Sequence, residues 1–334
     1  MADNFSAELT LGEGRRKPRQ AVGARFGEDR VWLTVMAAIT VVELAWWTVS
    51  WTSGAAPAPF LLTYLVLACI GLGAAFLLGM VIQPGAPRAG WASLVSGTLL
   101  VGLGASLFLP LKYAIPFVVP FWLDAPLARA ERAIFAGDPW LLLDRLLGWA
   151  IVPMDRLYAL WLPTQCLVLF TVMLQPPSAA KSRALIAYAL TWFLLGVAAA
   201  AVFSSAGPIF YDRLFGGTEF APLGETLRHR GAWVVLAESD RMYSSFALRQ
   251  PGMVSGMSAV PSVHVAISVW IFLASRTMAP SLSRYALLYA ILIAVGSVQL
   301  GWHYVTDGML GAVGAVVIWR LSKPLERSLE SRLN

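Results

Sequence analysis

SAVPSVHVAISVWIFLAS, residues 258–275, sets Pro261, Ser262 and His264 at the mouth of an apolar run long enough to enter a bilayer. The chain around it has the same character. Of 334 residues, 58% are hydrophobic and 13% charged, too little polar surface for a soluble domain of this length. Fourteen tryptophans are available to anchor helix ends at the lipid interface. Apolar runs predict about eight transmembrane helices, near 31–52, 60–82, 91–111, 157–174, 184–205, 262–279, 285–301 and 303–320. The fold class expected is therefore all-α, a polytopic helical membrane bundle. The first span follows about thirty polar residues and is too long for a signal-peptide core, so it is expected to be retained. Cys69 and Cys166 fall inside spans as small apolar side chains and offer no disulfide framework or zinc spacing. The sequence divides into a polar basic arm (1–30), one membrane domain (31–322) with outer loops at 112–156 and 206–260, and a tail (323–334).

With eight spans both ends lie on one side. That side carries 15 of the 25 Lys and Arg, six of them in residues 1–30 and four from Arg320 onward. By the positive-inside rule the termini are expected in the cytoplasm, with a bacterial-type inner membrane as the setting. The stretch RRKPR (15–19) then serves as a topology signal and a contact for anionic lipid, not as a nucleic-acid site. In the first outer loop, KYAIPFVVPFWL and DPWLLLDRLLGWAIV read as interfacial or re-entrant pieces, the former broken by Pro116 and Pro120.

A second stretch, LGWHYVTDGMLGAVGA (300–315), holds another of only three histidines. His303 and Asp307 are four apart, one above the other on a helix face, where a carboxylate can fix the imidazole tautomer. Gly308, Gly311 and Gly314 leave that helix able to approach a neighbour closely. The 39 residues between His264 and His303 suffice for one crossing in and one back, so both reach the same outer face, and Lys112 reaches it too. This convergence suits phosphoryl transfer through a covalent intermediate. His303 attacks phosphorus, Asp307 orients it, and His264 protonates the leaving oxygen and then deprotonates the acceptor. Pro261 is placed as a first-turn proline, which would leave the Ser262, Val263 and His264 N–H groups and the Ser262 hydroxyl to hold phosphate oxygens. A metal site of His264, His303 and Asp307 is the competing reading. His229, in a polar loop, reads as solvated.

At these residues the chain resembles the PAP2 (type 2 phosphatidic acid phosphatase) superfamily. Its second motif, P-S-G-H, appears here as PSVH, and its third ends in H-x-x-x-D, here HYVTD. The resemblance implies His264 as acid/base, His303 as nucleophile and Asp307 as its partner, with no metal or other cofactor. The first motif, K-x6-R-P, is met by Lys112 and Pro120 but has Val119 at the arginine; the S-R of the third is Gly296 and Ser297. Two phosphate-binding arginines are thus missing. Arg249, Arg213 and Arg241 are the expected substitutes, and Tyr211 belongs to the same head-group loop. These departures, with AGPIFYD at 206–212, are similar to the Aur1/Ipt1-like inositolphosphotransferase branch. That likeness implies a phospholipid donor and a lipid alcohol or water as acceptor. A lipid phosphate or polyprenyl diphosphate phosphatase is the alternative within enzymes, and a lipid transporter the alternative outside them.

Overall fold

The computed structural model describes residues 18–82, 84–252 and 256–333. Arg15, Arg16 and Lys17 of the basic arm lie outside the described residues. Among the described residues, thirteen helices of nine residues or more follow in order: α1 (Pro18–Thr52), α2 (Leu61–Ile82), α3 (Trp91–Val118), α4 (Asp124–Phe135), α5 (Pro139–Leu147), α6 (Ile151–Ala159), α7 (Trp161–Leu174), α8 (Ala179–Val202), α9 (Ala221–Arg230), α10 (Trp233–Ala247), α11 (Val263–Met278), α12 (Ser283–Gln299) and α13 (Val305–Leu333). No strand occurs among the described residues.

Among the described residues, six helices are long and apolar enough to cross a membrane: α1 from Asp29, α2, α3, α8, α12 with its leading turn, and α13. Two of the eight expected spans differ. The one expected at 157–174 is the second arm of a bent pair, Pro139–Ala159 and Trp161–Leu174, which meet at 45°. Pro163 explains the break, since it has no N–H to bond the carbonyl of Ala159, where α6 ends. The one expected at 262–279 is α11, only 16 residues long. Further along, α13 runs unbroken through residue 322 to Leu333. The break expected at Pro116 is also absent, because α3 carries both Pro110 and Pro116 and continues to Val118. A proline deletes one ladder bond, and a helix packed on neighbours within a membrane tolerates the loss. Lys112 therefore stands inside a helix and does not open a loop.

Small residues let these helices meet. A Cβ at Gly97 of α3 would lie 2.5 Å from the Trp32 ring of α1, and one at Gly71 of α2 2.5 Å from Phe170 of α7. On α13, a side chain at Gly311 would collide with the backbone carbonyl of Ser262 at the start of α11. In α8 the backbone widens to a π-helix over Thr191–Ala199, where Gly196 packs under Phe108 and Val263.

Polar contacts sort the helix ends into two groups. At one end Lys181 of α8 pairs with Asp29 of α1 at 3.0 Å, Ala89 N–H donates to Leu174 O at 3.0 Å, and Arg183 donates to Trp319 O at 2.9 Å. At the other end Ser262 N–H donates to Asp307 O at 3.0 Å, and the Ser204 hydroxyl donates to Val119 O at 2.9 Å. The second end is roofed by the shorter helices α4, α5, α6, α9 and α10. Asp155 of α6 fixes α10 there by accepting the Val234 and Val235 N–H groups, each at 2.9 Å, which satisfies amides that a helix start leaves open. Arg230, the last residue of α9, meets Asp144 of α5 at 3.1 Å.

Candidate active site

The roofed end gathers the two histidines. His264 is the second residue of α11, whose cap is Ser262, with the Ser262 hydroxyl accepting from Val265 N–H at 3.3 Å. Pro261 thus precedes the cap and is not the first-turn proline expected. The Ser262 amide is committed to Asp307 O and its hydroxyl to the cap, so Ser262 builds the helix start, leaving the Val263 and His264 amides open by position. The His264 ring stacks on Tyr158 (4.8 Å, 21°) and lies 4.1 Å from the Trp161 ring centre. Trp161 Nε1–H also donates to the His264 carbonyl at 3.1 Å.

His303 comes from the turn between α12 and α13, held by its own N–H to Ser297 O at 3.0 Å. Its ring centre is 5.8 Å from that of His264. Asp307, in the first turn of α13, places Oδ2 3.4 Å from His303 Nδ1 and accepts Tyr304 N–H at 2.9 Å. At 3.4 Å the two are an ion pair in distance but not yet a hydrogen bond, and Asp307 Oδ1 has no partner. Such catalytic contacts commonly tighten when substrate binds. Both side chains are buried, so the carboxylate acts on the imidazole with little screening by water.

Lys112 belongs to the same group. Its stem packs against Gly256, where a Cβ would sit 2.6 Å from Lys112 Cγ, its Nζ lies 5.8 Å from the Phe108 ring centre, and its charge acts on His264. The other expected phosphate ligands are not brought to the histidines. Arg213 pairs with Asp240 at 2.6 Å and Arg241 with Glu238, both in exposed positions. Arg249 lies exposed over the Phe117 ring at 5.1 Å, five residues along α3 from Lys112. Tyr211 is buried among Phe215 and Phe220, and Phe220 in turn touches Tyr304 at the site. His229 is exposed, as expected.

Sequence reasoning missed α4. Its buried face carries Asp124, Leu127, Ala128 and Glu131, a helical spacing with an acid at each end that was legible in DAPLARAERAIF. Glu131 accepts both the N–H and the hydroxyl of Thr306, at 2.7 and 2.9 Å, between His303 and Asp307 in sequence. A cleft lined by Glu131, Asp138, Trp140, Phe220, Tyr304 and His303 leads to the nucleophile candidate. The indole N–H of Trp140 and the hydroxyl of Tyr304 are buried there without partners. Burial, reinforced by nearby carboxylates, drives the Tyr304 hydroxyl far above its ordinary range, so it stays a donor. At the rim, Arg132 bonds Asp138 through Nε at 2.7 Å and Glu219 through Nη1 at 2.6 Å, while lying 5.0 Å over Phe220. Its Nη2 edge remains open.

Among the described residues, no group of three or more His, Cys, Asp or Glu side chains is arranged to hold a metal ion. A family model described as the PAP2 superfamily matches residues 125–321, more than half of the chain. The match includes both histidines and Asp307, and leaves α1, α2, α3 and Lys112 outside it. No curated protein and no solved structure matches the chain.

Proposed function

The chain belongs to the PAP2 superfamily, whose members are phosphatases and phosphotransferases, and from that premise we propose that it moves a phosphoryl-containing head group between lipids through a phosphohistidine on His303. The observation that carries this reading is the pair of imidazoles 5.8 Å apart, with a buried carboxylate behind one of them. Asp307 beside Nδ1 keeps the proton on that nitrogen, so the Nε2 lone pair is free to attack phosphorus. As the P–N bond forms, the P–O bond to the departing lipid alcohol breaks, and that oxygen takes its proton from His264. The acceptor alcohol then yields its proton to His264 while its oxygen forms a P–O bond and the P–N bond breaks. Water as acceptor turns the same steps into a phosphatase. Phosphoinositol is the first head group to try, from the likeness of the motifs to the inositolphosphotransferase branch. The charge distribution supports placing the site on the non-cytoplasmic face.

The test incubates purified protein and its His303→Ala variant with head-group-labelled phosphatidylinositol plus ceramide or diacylglycerol, then separates lipids from water-soluble products. A new labelled lipid made only by wild type supports transfer, and label released only into water supports hydrolysis. Label left in place with phosphatidylinositol, lipid phosphates and polyprenyl diphosphates alike would sink the reading.

Lys112 and Arg132 supply the cations in place of the missing motif arginines. Arg132 is suited because Asp138 and Glu219 fix its plane while Nη2 stays available, an arrangement in which little side-chain entropy is lost on binding phosphate. Arg132→Gln is expected to raise KM by about tenfold with a smaller change in kcat, the loss of one charge-assisted contact to phosphate. Steady-state kinetics over a range of donor lipid in mixed micelles checks it.

A further inference from the structure

Between α8 and the turn before α9 runs a segment, 204–210 (SSAGPIF), that neither histidine motif includes. It touches the approach to both. Ser205 O accepts Ala259 N–H at 2.7 Å, on the stretch leading into His264. Four residues on, Ile209 N–H donates to Gly301 O at 2.9 Å, two residues before His303. Between these ties, Gly207 (φ +102°) presses on the Trp302 carbonyl, which any Cβ at that position would strike. The segment is thus a bridge joining the two histidine loops.

The centre of the bridge is gripped by a single side chain. Asp124, the first residue of α4 and fully buried, accepts the Ser205 hydroxyl at 2.9 Å, Ala206 N–H at 2.9 Å and Gly207 N–H at 2.8 Å. Just before it, the Trp122 and Leu123 N–H groups donate to Ser204 O, each at 3.2 Å, so α4 cannot shift without moving the bridge. A carboxylate that accepts several convergent donors is a strong anchor, and removing it strands those donors in a buried place.

We infer that Asp124 is a positioning residue, setting the spacing of His264 and His303 through the 204–210 bridge; the inference rests on the phosphoryl-transfer reading above. Asp124 touches no reacting atom in this account. Its removal alters the separation of the nucleophile from its proton donor and leaves substrate contacts alone. A misplacement of about 1 Å is enough to cost on the order of 100-fold in rate.

The experiment compares Asp124→Ala, Asp124→Asn and Gly207→Ala in the full-length protein in lipid nanodiscs, reading kcat, KM and backbone amide exchange at Ala259 and Ile209. Asp124→Ala should lose about 100-fold in kcat with KM within about twofold of wild type. Asparagine keeps one acceptor oxygen at the same place, so Asp124→Asn should recover a large part of that loss. Gly207→Ala leaves Asp124 intact and pushes the bridge off Trp302, and should lower kcat by at least about tenfold, again with KM preserved. It carries the test even if Asp124→Ala does not fold. Exchange at Ala259 and Ile209 should quicken in each impaired variant. Wild-type kcat and exchange in Gly207→Ala would overturn the inference, as would activity falling only in step with folded protein. Failure of the reaction reading would instead show in wild type itself, as absence of any transfer or hydrolysis, while amide exchange still reports on the bridge.

Discussion

His303→Ala is expected to lower turnover by on the order of 100-fold or more and to abolish any acid-labile phosphoryl adduct on the protein, with membrane insertion unchanged. The size follows from what the imidazole would do. Without it the proposed covalent intermediate would lose its nitrogen, and Asp307 the imidazole that it stands 3.4 Å from. His264→Ala should fall as far by another route: the adduct can still form with an activated leaving group that needs no proton, while ordinary alcohols leave poorly. Asp307→Asn should keep the fold and lose the tautomer control. Quench-flow with labelled donor separates the three, since only His303→Ala blocks adduct formation for every donor. An adduct of wild-type size in His303→Ala would assign the nucleophile elsewhere.

Lys181→Met is expected to destabilise the protein by about 3–5 kcal/mol, the usual result of removing one partner of a buried ion pair. Lys181 and Asp29 are both fully buried, 3.0 Å apart, and Trp32 Nε1–H also donates to Asp29 at 2.8 Å. Taking away the ammonium leaves a buried carboxylate with Trp32 as its neutral side-chain donor among the described residues. Because the pair joins α1 to α8, the loss is felt at the end opposite the histidines, and kcat of the protein that remains folded should be unaltered. The Asp29→Leu, Lys181→Met double variant should regain most of the stability, since two apolar side chains replace two charges. Thermal unfolding in detergent, followed for all three variants, checks this; equal losses in the single and double variants would mean that the pair's charge is not what matters.

The sequence carried the parts of this protein that repeat a simple physical signal. Long apolar runs mark α1, α2, α3, α8, α12 and α13, and two histidine motifs separated by one return crossing mark the meeting of His264 with His303. Residues that depend on backbone partners were hidden. Asp124 and Ser205 are 81 positions apart, and the carboxylate mostly binds amides that nearly every residue possesses, so no side-chain pattern announces the pair. The arginines were hard to place for a related reason: composition shows a cation but not its neighbour, and here Asp240 meets Arg213, Glu238 meets Arg241, and Asp138 with Glu219 meet Arg132. Ser262, expected as a phosphate ligand, has its hydroxyl at the helix cap, since the same chemistry that binds an anion also caps a helix.

The brevity of α11 has a mechanical consequence. Sixteen residues rise about 24 Å, against a hydrocarbon core of roughly 30 Å. Exposed Arg276 in its last turn favours holding that end at the water boundary, so the deficit falls at the end bearing His264. If α11 crosses the bilayer, the proposed reacting groups would sit several ångströms beneath the plane of the lipid phosphates, and a donor lipid would have to sink, or the leaflet to thin, before its phosphorus met the imidazole. Bilayer thickness, set by acyl-chain length, would then be expected to govern the rate alongside the concentration of substrate.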